Sequence, residues 1–161
     1  MEKSVEQIKT HLVKLGYRLS VAESLSTGRI QSNIGGITGA TAFFEGGITV
    51  YSLEQKVTLL KINEDHAREV NCVSERVAKE MAIGACELFN TQIGISTTGY
   101  AESNKEMKVT QPFAYYCIWD NVRQKIMNEG RISLHEDSRI GNQTLITEII
   151  IKQLSRCLQD A

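Results

Sequence analysis

Two stretches, V21-A-E-S-L-S-T-G28 and G46-G-I-T-V-Y-S-L-E-Q-K56, decide how this chain is read. Each opens on an apolar, β-like run, turns at small or polar residues and continues with helical spacing. A strand feeding a helix through a tight corner is the repeating unit of an α/β sheet, where ligands gather outside the carboxyl ends of the strands. The two corners put Ser24, Tyr51 and Lys56 at element ends, where their side chains can converge on one cleft.

Outward from these corners the same alternation continues. Val5, Ile8, Leu12, Val13 and Leu15 form a helical stripe over residues 3–16, ended by Gly16. Residues 18–22 read as a strand and 27–34 as a helix, followed by a glycine-punctuated turn at Gly35, Gly36 and Gly39. Residues 40–45 suggest a further helical turn, 47–51 a strand and 53–60 a helix. Ser74 is placed to cap a helix over 75–89 whose inward positions are Val77, Met81, Ala85 and Leu88. Residues 92–97 form a third apolar run, and the polar span 99–111 reads as a loop. Pro112 opens a β-rich run to Trp119, and D120-N-V-R123 is a hairpin turn into a strand over 124–133. A last helix is predicted over 138–158, with Leu145, Ile149, Ile150 and Leu154 inward. No repeat, low-complexity tract or linker interrupts the 161 residues, so one domain, a three-layer α/β/α sandwich with a mixed sheet, is expected over 1–161.

Composition narrows the function. Eighteen basic against 19 acidic residues leave a net charge of −1, which gives no electrostatic ground for binding nucleic acid or an anionic membrane surface. No stretch approaches the length of a membrane-spanning helix, and the amphipathic N-terminus lacks a signal-peptide core, so a cytoplasmic protein is the default expectation. Cys72, Cys86, Cys117 and Cys157 are far apart, as are His11, His66 and His135, which points to reduced packing cysteines and to no metal site.

A serine hydroxyl becomes a nucleophile when a base takes its proton, and a lysine can do this when it is neutral. Ser24 with Lys56 is such a pair, Tyr51 is placed to share its hydrogen-bond network, and N–H groups around Thr27 and Gly28 are candidates for an oxyanion. Glu23 is placed to fix local geometry or hold a water. From spacing alone the commoner reading is a serine capping a helix and a lysine in solvent. The glycine runs 35–39 and 46–47 match no phosphate-loop pattern and read as turns.

Three ordered motifs carry a resemblance to a known family. A22-E-S-L-S-T-G28 resembles an A-E-S-C-T-G-G signature. G39-A-T-A-F-F-E-G-G-I-T-V-Y-S-L-E-Q-K56 matches G-x-x-x-x-F-x-G-G-x-x-x-Y-S-N-E-x-K without a gap. V73-S-E-R-V-A-K-E-M-A-I-G-A85 matches V-S-E-x-V-A-x-x-M-A-x-G-A. The chain thus resembles the CinA C-terminal domain family, whose members include nicotinamide mononucleotide deamidases of pyridine nucleotide salvage. The resemblance implies a serine amidohydrolase without cofactor or metal, converting nicotinamide mononucleotide and water to nicotinate mononucleotide and ammonia. In it Ser24 is the nucleophile, Lys56 the base and Tyr51 the supporting hydroxyl, while Thr27, Gly28, Gly46, Thr98, Gly99, Arg139 and Asn142 fall at or near the substrate-binding positions. It also implies a homodimer or larger homo-oligomer. Many relatives carry an N-terminal molybdopterin-binding-like domain, and this chain, which opens on the first helix, reads as a stand-alone form.

Two segments depart from the family pattern. Where relatives have T-G-x-A-G-P and further glycines, this chain has T98-G-Y-A-E-S-N-K-E106, and Thr110-Gln111-Pro112 replaces a Pro-Val-Gly. In the run E136-D-S-R-I-G-N142, Asn142 stands where active relatives have an arginine suited to phosphate, with Arg139, Lys105 and Lys108 as possible replacements. Thr27 also replaces a glycine, and Leu25 a cysteine. Two expectations follow: an amidohydrolase with an altered substrate loop, or a diverged, catalytically silent domain that binds a ligand or partner.

Overall fold

Odd and even residues of the central strands bury against different layers, and this alternation sets the architecture. Leu19, Val21, Ile93, Ile95, Ala114, Tyr116 and Ile118 face one hydrophobic cluster, whereas Ala22, Cys117 and Trp119 face the other side. The computed structural model describes residues 1–135 and 138–159; Glu136 and Asp137, which open the run ending at Asn142, lie outside them. Five strands form one sheet: β1 (Leu19–Glu23), β2 (Phe44–Thr49), β3 (Ile93–Tyr100), β4 (Phe113–Asp120) and β5 (Lys125–Ser133), in the order β2-β1-β3-β4-β5. β1 is parallel to both β2 and β3, whereas β3–β4 and β4–β5 are antiparallel. Helices α1 (Glu2–Leu15), α2 (Arg29–Gly35) and α6 (Arg139–Gln159) cover one face. Helices α3 (Leu53–Leu60), α4 (Glu64–Glu69) and α5 (Glu75–Phe89) cover the other. This is the expected three-layer sandwich with a mixed sheet.

Local chemistry accounts for most of the boundaries. Ser74 caps α5 by accepting from Val77 N–H at 3.1 Å, and Asp120 fixes the β4–β5 hairpin by accepting from Val122 and Arg123 N–H at 3.0 and 2.9 Å. Where boundaries differ from the expectation, tertiary pairing overrides local preference. Residues 40–42 make a single 3-10 turn, and Glu45 lies in β2, because Phe44 already pairs with Leu19. β3 continues to Tyr100 because Thr97 to Tyr100 pair with Tyr116 to Phe113. Helix α2 starts at Arg29, since Thr27 and Gly28 both have positive φ. Helix α4, capped by Asn63 through His66 N–H at 2.8 Å, is additional to the elements expected from the sequence. Leu88, Val13 and Leu15 are exposed rather than inward. In α6 the buried row is Ile146, Ile150, Ile151, Leu154 and Leu158, with Leu145 at its flank and Ile149 only half-buried. Among the described residues no helix is long and apolar enough to cross a membrane.

Candidate active site

The parallel strands β1, β2 and β3 point their carboxyl ends the same way, and a cavity of about 420 Å³ opens there. Ser24 immediately follows β1 and lines it. The turn carrying Ser24 is held from below by Glu23. This fully buried carboxylate accepts three main-chain N–H groups, from Gly28 and Ile30 on one oxygen (3.0 and 3.1 Å) and from Gln31 on the other (2.8 Å). Negative charge at a helix N-terminus meets the exposed amides and the positive end of the dipole, so Glu23 serves as the cap of α2. Glu23 thus has the geometric role read from the sequence. Its consequence corrects a second expectation: Gly28 N–H is bonded to Glu23, and Thr27 N–H to the Ser24 carbonyl at 3.2 Å, so neither amide is open to an oxyanion.

Lys56 projects from the first turn of α3, on the same inner face as Leu60. It is 1% exposed, and its Nζ lies 3.1 Å from Ser24 Oγ and 3.0 Å from the Tyr51 carbonyl. Burial pushes its pKa below the ordinary lysine value, because desolvation penalises the ammonium; the nearby Cys72 sulfur contributes a smaller opposing pull. The position on the first helical turn adds an unfavourable dipole for a cation. Ser24 and Lys56 therefore meet as expected, with the amine biased toward the neutral form a base requires.

Tyr51 supports the pair differently from the sequence expectation. Its main-chain carbonyl accepts from Lys56, while its phenol, 57% exposed, reaches across the cavity mouth to accept from the Arg139 guanidinium. Arg139 also donates to the Glu102 carboxylate at 2.6 Å, and all three residues line the cavity. The far wall comes from Asn71 and Cys72, consecutive residues with φ of 49° and 61°, and from Thr98, Gly99 and Tyr100. The Thr98 hydroxyl donates to the Cys72 carbonyl at 2.6 Å, and Asn71 donates to the Tyr100 hydroxyl at 2.9 Å. Left-handed backbone at non-glycine residues is costly and gathers at functional sites.

Several predicted binding residues lie elsewhere. Gly46 sits inside β2 against the Phe89 ring, where an added Cβ would come within 2.8 Å of Cε1; its small size serves packing of α5, not a ligand. Thr27 and Gly28 belong to the Glu23-held turn and do not line the cavity. Asn142 is buried, and its amide donates to the Ala101 carbonyl at 2.9 Å, anchoring the loop after β3 from behind. Lys105 and Lys108 are not among the lining residues either. Conversely, Asn71, Cys72 and Tyr100 line the cavity without any motif to single them out. The first two follow α4, a helix with no strong sequence signal, so nothing local marks them as a wall.

The sequence profile of the CinA C-terminal domain matches residues 1–158. This chain belongs to the CinA C-terminal domain family. A putative competence-damage inducible protein of Limosilactobacillus reuteri is 34% identical over 143 residues, covering 89% of this chain and 32% of the relative. One from Clostridium kluyveri is 43% identical over 99 residues, 62% of this chain and 24% of the relative. The chain thus spans at most about a third of the length of these relatives. Among solved structures, a CinA superfamily protein from Klebsiella pneumoniae superposes with a TM-score of 0.88 at 20% identity, covering 99% of this chain and 98% of the other. A competence/damage inducible protein from Agrobacterium tumefaciens gives 0.85 at 20% identity, over 97% and 94%. At that identity the structures establish the shared CinA fold, and the chemistry must be argued from the cavity.

Proposed function

We propose that this CinA domain is a serine amidohydrolase that cleaves the carboxamide of a nicotinamide nucleotide or nucleoside, releasing ammonia. The observation that carries the reading is the buried contact between Lys56 Nζ and Ser24 Oγ at 3.1 Å on the cavity wall. Neutral Lys56 takes the Ser24 proton as Oγ attacks the amide carbon, and the carbonyl oxygen becomes an oxyanion. The N–H groups of Leu25 and Ser26, which make no hydrogen bond among the described residues, are the donors in this scheme. Collapse breaks the C–N bond, the Lys56 ammonium returns its proton to the leaving nitrogen, and ammonia departs from an acyl-serine ester. Water then attacks that ester with Lys56 again as base, giving the carboxylate and restoring Ser24.

The test is turnover. Purified protein is incubated with nicotinamide mononucleotide and with nicotinamide riboside, and ammonia and the nicotinate product are measured. Ser24→Ala and Lys56→Ala should each lower kcat by about a thousandfold or more. A wild type as silent as Ser24→Ala on both substrates, beside an active control, rejects the reading. A second reading, a ligand-binding domain without turnover, draws support from Arg139 and Asn142 being engaged within the chain. A ligand-dependent rise in Tm with no ammonia release would favour it.

A further inference from the structure

The mouth of the cavity carries its own counter-ion. Of the described residues that line the cavity, the charged ones are Lys56, Arg139 and Glu102. Lys56 is buried and committed to Ser24 and the Tyr51 carbonyl, which leaves Arg139 as the cation an anionic substrate group would meet. Both terminal nitrogens of Arg139 are engaged, Nη1 with Glu102 Oε1 at 2.6 Å and Nη2 with the Tyr51 hydroxyl. Asn142, the other residue with a claim on a phosphate, turns its amide to the Ala101 carbonyl. Arg139 sits at the start of α6 and Glu102 just beyond the end of β3, so two distant segments bring the ion pair across the opening.

We propose that Glu102 determines specificity: by neutralising Arg139 at the cavity mouth, it makes the site select carboxamide substrates that lack a phosphate over their phosphorylated counterparts. A phosphate reaching Arg139 would have to displace the carboxylate and then lie beside it. The pair itself is weak, since the two side chains are 40% and 61% exposed. Repulsion between a phosphate dianion and a retained carboxylate is larger, because it involves a double charge at short range. Glutamine at position 102 keeps the size and an acceptor oxygen and removes only the charge. Its expected effect is about a tenfold gain in affinity for a phosphorylated ligand.

This inference rests on the cavity being the substrate site, and its test reads binding, not turnover. Titration calorimetry is run in a Ser24→Ala background with nicotinamide riboside and nicotinamide mononucleotide. With Glu102 intact, the riboside should bind at least as tightly as the mononucleotide. Glu102→Gln should tighten the mononucleotide about tenfold and leave the riboside within about twofold, and a further Arg139→Gln should cancel the gain. The gain should also shrink in high salt. Three results overturn the proposal: a clear preference for the mononucleotide with Glu102 intact, a Glu102→Gln gain absent or equal for both ligands, or no binding of either ligand to either protein. A silent ammonia assay with the predicted binding pattern would reject the catalytic reading alone and leave this one standing.

Discussion

The amine of Lys56 lies 3.1 Å from the hydroxyl of Ser24, both groups shut away from solvent, although 32 positions separate them in the chain. Burial holds the amine below the ordinary lysine pKa, and only its neutral form can accept the serine proton. kcat/KM should therefore rise with pH to a plateau, with the midpoint of the rise below the usual 10.5. A pH–rate profile measures it. Lys56→Arg, permanently protonated, should retain less than about a thousandth of the rate and show no alkaline recovery.

The same burial predicts a stability cost. In the unfolded chain Lys56 titrates near 10.5, and in the folded protein below it. Between those two values the unfolded state binds more protons, so stability rises with pH across that window. The penalty is thus fully present below the folded value and fades as pH approaches 10.5. Lys56→Met should be about 1 kcal/mol more stable than wild type at about pH 7, and the gain should shrink in alkaline buffer. Urea unfolding at several pH values checks it; a gain independent of pH would contradict a depressed lysine.

Glu23 bears on Ser24 through backbone. Its three bonds to Gly28, Ile30 and Gln31 span 2.8–3.1 Å in a fully buried setting. Removing the carboxylate leaves buried N–H groups unsatisfied and α2 uncapped. Glu23→Ala should lose about 3 kcal/mol in urea unfolding. Glu23→Gln, which keeps one acceptor oxygen, should lose about half of that.

Thr27 occupies left-handed backbone at φ 51°, a costly state for a β-branched residue. Its side chain accepts one exposed bond, from Arg29 at 2.8 Å. Thr27→Gly should raise stability by about 1 kcal/mol, seen as a higher Tm, and leave the cavity lining unchanged.

Sequence alone determined the layers and the identity of the candidate chemistry. Near-continuous burial in β1 and β3, whose two faces are both covered by helices, and period-3.6 burial in α5 follow from solvent exclusion of apolar side chains, which acts at every position and so writes itself into the pattern. The Ser24 and Lys56 motifs are equally legible, because the elements around them start on short-range caps such as Ser52 and Ser74. Tertiary structure decided what those motifs face. Lys56 is buried because the fold brings its amine against Ser24, the Tyr51 carbonyl and the neighbourhood of Cys72, and that enclosure lowers its pKa. Asn142 reads as a ligand residue and proves an anchor, since its partner, the Ala101 carbonyl, lies 41 positions away. Arg139 reads as a candidate phosphate residue and Glu102 as part of an altered loop, and only the fold pairs the two across the cavity mouth. Charge pairing of that kind depends on distance in space, which a linear sequence does not contain.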